Sequence, residues 1–219
     1  TADAQMTVLG DQLVLHLVSD WEVGGKSFRE GSVVSANLEA YLDGARDVEL
    51  VVEPDARSTI NGIAATKDYL LVNQLTDVQG QLHRYWREDG GWLHEAMDIP
   101  PMGAVFPRAL SVHHNRFFFT FESFNQPTTL FLAEEDGSVR EVRTLPEQYD
   151  AEGVVVEQYQ ATSPDGTRVP YFVVRAEDAP FNGTNPTLLH AYGGFQISST
   201  PGYLGAEGKA WVEKGGVYV

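Results

Sequence analysis

Short apolar stretches, separated by polar or glycine-containing turns, make up most of the chain before Pro146. Branched and aromatic side chains recur in these stretches at every second position or in short unbroken runs, a pattern typical of β-strands. The turns Asp89-Gly90-Gly91 and Asp136-Gly137 are typical of tight hairpins. The predicted strands cover residues 13–18, 33–38, 48–52, 69–75, 82–86, 92–97, 116–121, 129–133 and 139–144. The pattern predicts hardly any helix in this region.

These strands form three successive units of similar design. Each unit ends at a proline, and Pro54, Pro100 and Pro146 follow one another at intervals of 46 residues. A period of about 40–50 residues with four short strands per unit is typical of a β-propeller, in which each unit is one blade. The first unit carries an extra loop at residues 21–31. A sandwich of similar strands is the alternative, and a propeller would need at least one further blade upstream of Thr1.

The pattern changes at residues 147–153, an acidic segment that contains Gly153. After it we predict two strands at 154–161 and 168–175, a strand buried on both faces at 187–191, a helix at 204–214 and a strand from 217 onward. A hairpin followed by strand, helix and strand is how an α/β domain begins. The predicted organisation is therefore propeller blades at 1–146, a linker at 147–153 and the first part of an α/β domain at 154–219.

Tyr192-Gly193-Gly194 directly follows the predicted strand at 187–191. Ligands bind at the carboxyl ends of the strands in open α/β sheets, and paired glycines let backbone approach a ligand closely. A tyrosine hydroxyl at this edge can donate a hydrogen bond to an oxyanion. The alternative is a buried tyrosine at a tight turn that bonds only to backbone.

Composition limits the classes of partner. The 15 Lys and Arg residues stand against 31 Asp and Glu, and the net charge of −16 argues against nucleic acid or an anionic membrane as partner. Cysteine is absent, which excludes disulfides and thiolate metal sites and leaves the compartment open; we expect the cytoplasm, with the periplasm as the alternative. We predict no metal and no cofactor. Because the chain does not begin with Met and stops within a predicted strand, we expect it to be a piece of a longer protein.

Several motifs together resemble the prolyl oligopeptidase family of serine peptidases. They are Thr162-Ser163-Pro164-Asp165-Gly166-Thr167-Arg168-Val169-Pro170, Asn185-Pro186, Tyr192-Gly193-Gly194-Phe195-Gln196-Ile197-Ser198 and Gly215-Gly216-Val217. The resemblance implies the last blades of a seven-bladed propeller followed by the first strands and helix of an α/β-hydrolase domain, and a parent enzyme that cuts short peptides after proline. It implies that Tyr192 helps to form the oxyanion hole and that Phe195 helps to wall the proline pocket. Ala191 stands where the family usually has Gly, and both residues are small.

The sequence contains no G-x-S-x-G nucleophile motif, which an α/β-hydrolase needs with an acid and a His after it. We therefore expect the Ser, Asp and His of the triad to lie outside this chain, and the chain alone to be inactive. A non-catalytic propeller binding module with a degenerate hydrolase domain is the alternative function, and an esterase is a weaker one. We also expect that edge strands near Val217, lacking neighbours, can pair with another chain.

Overall fold

The computed structural model describes residues 3–195 and 197–219, so Gln196 of the resemblance motif lies outside the described residues. The first sheet contains four antiparallel strands in the order β1-β2-β5-β6, and β3 and β4 form a separate hairpin. The elements of this region are β1 (Ala4–Leu9), β2 (Gln12–Leu17), β3 (Trp21–Val23), β4 (Lys26–Phe28), β5 (Val33–Asn37), α1 (Leu38–Leu42) and β6 (Glu49–Val52). The segment predicted as a loop at 21–31 is thus mostly a hairpin, which turns at two glycines with positive φ, Gly24 and Gly25.

Two further four-stranded antiparallel sheets follow, with the strand orders β10-β9-β8-β7 and β11-β12-β13-β14. Their strands are β7 (Ser58–Ala65), β8 (Leu70–Thr76), β9 (Gln79–Glu88), β10 (Gly91–Ala96), β11 (Gly103–Arg108), β12 (Phe117–Ser123), β13 (Thr129–Ala133) and β14 (Val139–Thr144). Each of the three sheets ends shortly before one of the regularly spaced prolines. The prediction of about three four-stranded blades is confirmed.

Neighbouring blades pack face to face through apolar side chains. Leu9, Val14 and Val33 of the first blade share one buried cluster with Leu70 and Val72 of the second. Leu71 and Leu82 point to the other side of the second blade and share a cluster with the phenylalanines of β12. Since alternate residues of a strand face opposite sides of its sheet, the central blade contributes to both clusters, as a propeller requires.

The fourth sheet has a different topology. Its strands are β15 (Val154–Thr162), β16 (Arg168–Ala176), β17 (Thr187–Leu188) and β18 (Val217–Tyr218), in the order β15-β16-β18-β17. β16 runs antiparallel to β15 and β18, whereas β17 and β18 are parallel. A parallel pair needs a crossover, which here contains α2 (Ala206–Ala210) and a 3₁₀ turn (Val212–Lys214). This is the predicted start of an α/β domain; its boundary at 147–153 stays a prediction.

Two predictions for this sheet were wrong. The strand expected at 187–191 spans only Thr187–Leu188, and its residues are exposed instead of buried on both faces. The reason is that β17 pairs on one side only, with β18, and no described helix covers it. The strand near Val217 is not an edge, because β18 lies between β16 and β17; the edge strand at this side of the sheet is β17.

The helix predicted at 204–214 is shorter and is continued by the 3₁₀ turn, which ends at Gly215 with φ of 86°. Gly216 is also required, since a Cβ there would lie 2.5 Å from Trp211 Nε1. Among the described residues, no helix combines the length and hydropathy that a membrane span needs.

Candidate functional site

Tyr192 lies at the edge of the fourth sheet where β17 and β18 end. β16 runs in the opposite direction and therefore begins at this same edge, so the turn at residues 163–167 between β15 and β16 also lies there. In α/β sheets this edge is where ligands bind, because loops from several strands meet at it. The loop that joins β17 to α2 carries Tyr192.

A cavity of about 870 Å³ opens at this edge. Its wall is mainly apolar and aromatic, and two of its residues, Val78 and Phe124, come from the propeller blades. The α/β part contributes, among others, Tyr171, Leu189, Tyr192, Tyr203, Glu207 and Tyr218. The cavity therefore lies between the propeller blades and the α/β sheet, with a size and lining typical of a small-molecule or peptide site.

The side chain of Tyr192 is 52% exposed, so it is not a packed core residue. Its hydroxyl lies against the backbone of Gly194, where an added Cβ would be 2.9 Å from Oη and 3.1 Å from Cζ. A Cβ at Gly193 would meet no atom within 4 Å. The absence of a side chain at Gly194 therefore leaves room for the phenol, whereas Gly193 has no such steric role.

Phe195, three residues after Tyr192, lies outside the cavity. Its side chain is 89% exposed, its φ is 58°, and it is not among the residues that line the cavity. A positive φ is uncommon for a bulky side chain, so the loop is turned sharply at this residue. The structure brings Tyr192 to the cavity and leaves Phe195 outside it.

His190 and Tyr218 lie next to each other in the wall of the cavity at this edge of the sheet. The backbone N–H of His190 donates to the carbonyl of Val219 at 2.7 Å, and the two aromatic rings of His190 and Tyr218 stack with centroids 6.5 Å apart. Burial, and then the nearby charge of Glu207, raises the pKa of the Tyr218 phenol. Sequence reasoning did not single out Tyr218 or Glu207, because no local motif distinguishes them from ordinary strand and helix residues.

A second cavity of about 500 Å³ adjoins the first and has a more polar wall. It is lined by Arg57 and Asp77 of the second blade and by Arg168 at the start of β16. Arg57 Nε donates to Asp77 at 3.0 Å, and this hydrogen bond lowers the pKa of the Asp77 carboxyl. Val78, Pro170 and Ser198 line both cavities, so the two spaces share a wall.

Metal ligands are not clustered in the described part of the chain: no group of three His, Asp or Glu side chains is placed to hold a metal ion. The acidic hairpin tip at 134–137 makes local hydrogen bonds instead. Asp136 accepts hydrogen bonds from the backbone and hydroxyl of Ser138 at 2.9 and 2.6 Å.

Comparisons with known proteins agree with this architecture. A sequence model described as prolyl oligopeptidase, N-terminal beta-propeller domain, matches residues 23–145. An uncharacterized peptidase of Sinorhizobium fredii is 36% identical over 211 residues, covering 94% of this chain and 29% of that protein. A prolyl endopeptidase of Elizabethkingia meningoseptica is 26% identical over 205 residues, covering 93% of this chain and 27% of its own length.

Among solved structures, that of a post-proline cleaving enzyme from Rickettsia typhi matches with a TM-score of 0.83 at 26% identity. The match covers 99% of this chain and 32% of the other. The chain therefore spans less than a third of the length of these relatives.

Proposed function

This chain belongs to the prolyl oligopeptidase family, and we propose that it forms part of a serine oligopeptidase that hydrolyses short peptides after proline. The observation that carries the proposal is the position of Tyr192, which is half-exposed in a cavity between the propeller blades and the α/β sheet. The relatives named as a prolyl endopeptidase and a post-proline cleaving enzyme support the same specificity. We also place the boundary between the two domains at residues 147–153.

In the proposed reaction, a serine from the part of the protein beyond this chain attacks the scissile carbonyl, assisted by a His and an Asp from the same part. In α/β-hydrolases, the oxyanion hole combines an N–H beside the nucleophile with a group from the loop after the third strand. β17 is the third strand of this sheet in chain order, and Tyr192 lies in the loop after it. Its hydroxyl would donate to the oxyanion as negative charge develops.

The apolar wall of the cavity would strengthen this hydrogen bond, because electrostatic interactions are less screened away from water. Phe195 would help to wall the proline pocket, which requires its exposed ring to turn towards the cavity when the remainder of the hydrolase domain and a substrate are present. We further propose that the exposed edge of β17 is where this chain, when separated from the rest of its protein, associates with other copies.

The test of this function is a Tyr192→Phe substitution in the full-length protein, assayed with a proline-containing chromogenic peptide. We expect kcat to fall about 10²–10³-fold with little change in KM, as happens when one oxyanion donor is removed. Tyr171→Phe is the matched control, since Tyr171 is a second partly exposed phenol in the same cavity. Unchanged turnover in Tyr192→Phe, or an equal loss in both variants, would refute the assignment.

Specificity is tested separately with a series of peptides that differ only in the residue before the scissile bond. We expect kcat/KM to be highest with proline at that position. Faster cleavage of ester substrates, with no preference for proline, would point to an esterase and contradict the proposal.

A further inference from the structure

The tight turn between β8 and β9 contains a residue, Val78, whose branched side chain disfavours the backbone angles of that turn. Asp77 and Val78 both have positive φ, 48° and 60°. Two-residue turns with positive φ at both positions favour Asn-Gly and Asp-Gly. Asp77 fits this rule, but a β-branched residue in the left-handed region is a genuine outlier. Strained backbone of this kind persists where the surroundings stabilise it, so it calls for an explanation in terms of contacts.

The explanation lies in what Val78 touches. Its side chain packs against a buried cluster that joins Phe124 of the blades to Phe172 and Leu204 of the α/β part. Met102, which precedes β11, also has a positive φ, 58°, and packs against the same cluster. Two residues from turns of two different blades are therefore strained in the same way and reach the core of the α/β part. A glycine at either position would relieve the strain and lose the apolar contact.

Hydrogen bonds join the same three segments. The side chain of Gln79 accepts from the backbone N–H of Met102 at 3.0 Å and donates to the side-chain oxygen Oε1 of Gln158 at 2.6 Å. Gln158, in β15, donates in turn to the carbonyl of Asp77 at 2.6 Å. The Gln79–Met102 bond joins two blades, and the two bonds of Gln158 cross the interface, so the links tie two blade turns to one strand of the fourth sheet.

We propose that three blade residues, Val78, Gln79 and Met102, form a docking clamp. The clamp holds the propeller blades on the α/β sheet through apolar contacts with the buried cluster and hydrogen bonds with Gln158. Val78 also lines both cavities, so the clamp separates the polar cavity from the one that contains Tyr192. Opening the clamp joins the two spaces without unfolding either part. The clamp goes beyond the proposed peptidase activity and does not depend on it.

The test is Val78→Gly in the full-length protein, followed by hydrogen exchange. If Val78 only forms a turn, glycine relieves the strain and nothing else changes. If Val78 is a docking residue, removing its partly buried side chain should raise the open population about 10-fold. We expect exchange of the Leu204 amide, which donates to the carbonyl of Phe124 in the blades at 3.1 Å, to accelerate by that factor, while amides within β8 and β9 exchange at the same rate or more slowly because the turn itself is relaxed.

Asp89→Gly is the matched control. Asp89 has a φ of 50° in the turn between β9 and β10 of the same blade and is exposed, so the substitution relieves similar strain away from the fourth sheet. We expect it to leave exchange of the Leu204 amide unchanged. Acceleration in Val78→Gly that is matched by Asp89→Gly, or no acceleration in Val78→Gly, would overturn the clamp.

A second pair of variants keeps the proposal testable if Val78→Gly destabilises the whole blade. Gln158→Ala removes both of its hydrogen bonds across the interface, whereas Gln160→Ala changes the next residue on the same face of β15. We expect about 5- to 10-fold faster exchange of the Leu204 amide in the first variant and no acceleration in the second. Equal exchange in the two variants would also overturn the clamp. Exchange rates do not depend on peptidase activity, so a failure of the proposed function would be seen separately.

Discussion

Replacing Gly194 with alanine should displace the proposed oxyanion donor, the Tyr192 hydroxyl, while leaving the tyrosine itself unchanged. The new Cβ would lie 2.9 Å from the Tyr192 hydroxyl oxygen and 3.1 Å from Cζ, whereas ordinary contacts begin at 3.4 Å. The backbone itself tolerates alanine, because neither Gly193 nor Gly194 has a positive φ. The phenol is the end of a side chain that is half exposed, so it is the group that moves.

The size of the effect follows from the displacement. Restoring ordinary contact requires the hydroxyl to move by about 0.5 Å, which is the tolerance within which catalytic groups must be held. Losing one oxyanion donor reduces kcat about 10²–10³-fold, or about 3–4 kcal/mol of transition-state stabilisation. We therefore expect Gly194→Ala to lose at least tenfold in kcat and at most the full loss of Tyr192→Phe, with little change in KM.

The assay measures kcat and KM of the full-length protein on a proline-containing chromogenic peptide for the two single variants and the double variant. Since both changes act on one hydrogen bond, we expect the double variant to be no worse than Tyr192→Phe alone. Gly193→Ala is the control, because its Cβ would meet nothing within 4 Å. Wild-type turnover in Gly194→Ala, an equal loss in Gly193→Ala, or additive losses in the double variant would refute the reasoning.

Three further predictions concern the chain itself. The 219-residue chain should not hydrolyse proline-containing peptides, since it contains no G-x-S-x-G motif; measurable turnover by the purified chain would contradict this. Tyr149→Phe should lower the free energy of unfolding by about 0.5–1.5 kcal/mol at neutral pH, because the Phe124 carbonyl loses its 2.8 Å donor and keeps only the Leu204 N–H at 3.1 Å. Burial raises the pKa of Tyr149 to about 12, so the folded state holds this proton more tightly than the unfolded chain. That stabilisation is complete below about pH 10 and is lost as the pH rises to about 12. Chemical denaturation at several pH values in this range should therefore show that the free energies of unfolding of wild type and variant become more similar as the pH rises. Gly103→Ala should destabilise the third blade by about 1–3 kcal/mol, because its Cβ would lie 2.1 Å from the Phe121 ring; Gly91→Ala, whose nearest contact is 3.9 Å away, should leave the melting temperature unchanged.

The sequence predicted the second, third and fourth strands of each blade sheet, because these carry the apolar runs. It missed the first strand of every blade, β1, β7 and β11, each of which lies at the edge of its sheet. β7 contains Asn61-Gly62, which reads as a turn but is an irregularity in the ladder, and β11 contains Pro107. Such strands are specified by hydrogen bonds from the neighbouring strand, and their own residues give a weak signal.

The candidate site was predictable in part for a similar reason. The position of Tyr192 follows from chain order, because a residue a few positions after a strand lies near the carboxyl edge of the sheet. The orientation of Phe195 does not follow from order, since it depends on the backbone angles of a long loop. The exposure of Leu188 and Leu189 was also unpredictable, because their apolar character predicts burial and only the tertiary structure shows what covers them.

The strand order of the fourth sheet constrains how the protein is made. β15 and β16 are adjacent in sequence and can pair as soon as both have left the ribosome. β17 pairs only with β18, which is synthesised about 30 residues later, an interval of about 2–6 s at ordinary translation rates. During that time the segment with Tyr192 has no neighbouring strand to fix its place. Synonymous codons that slow translation between residues 189 and 216 should therefore lengthen the period in which nascent chains need a chaperone.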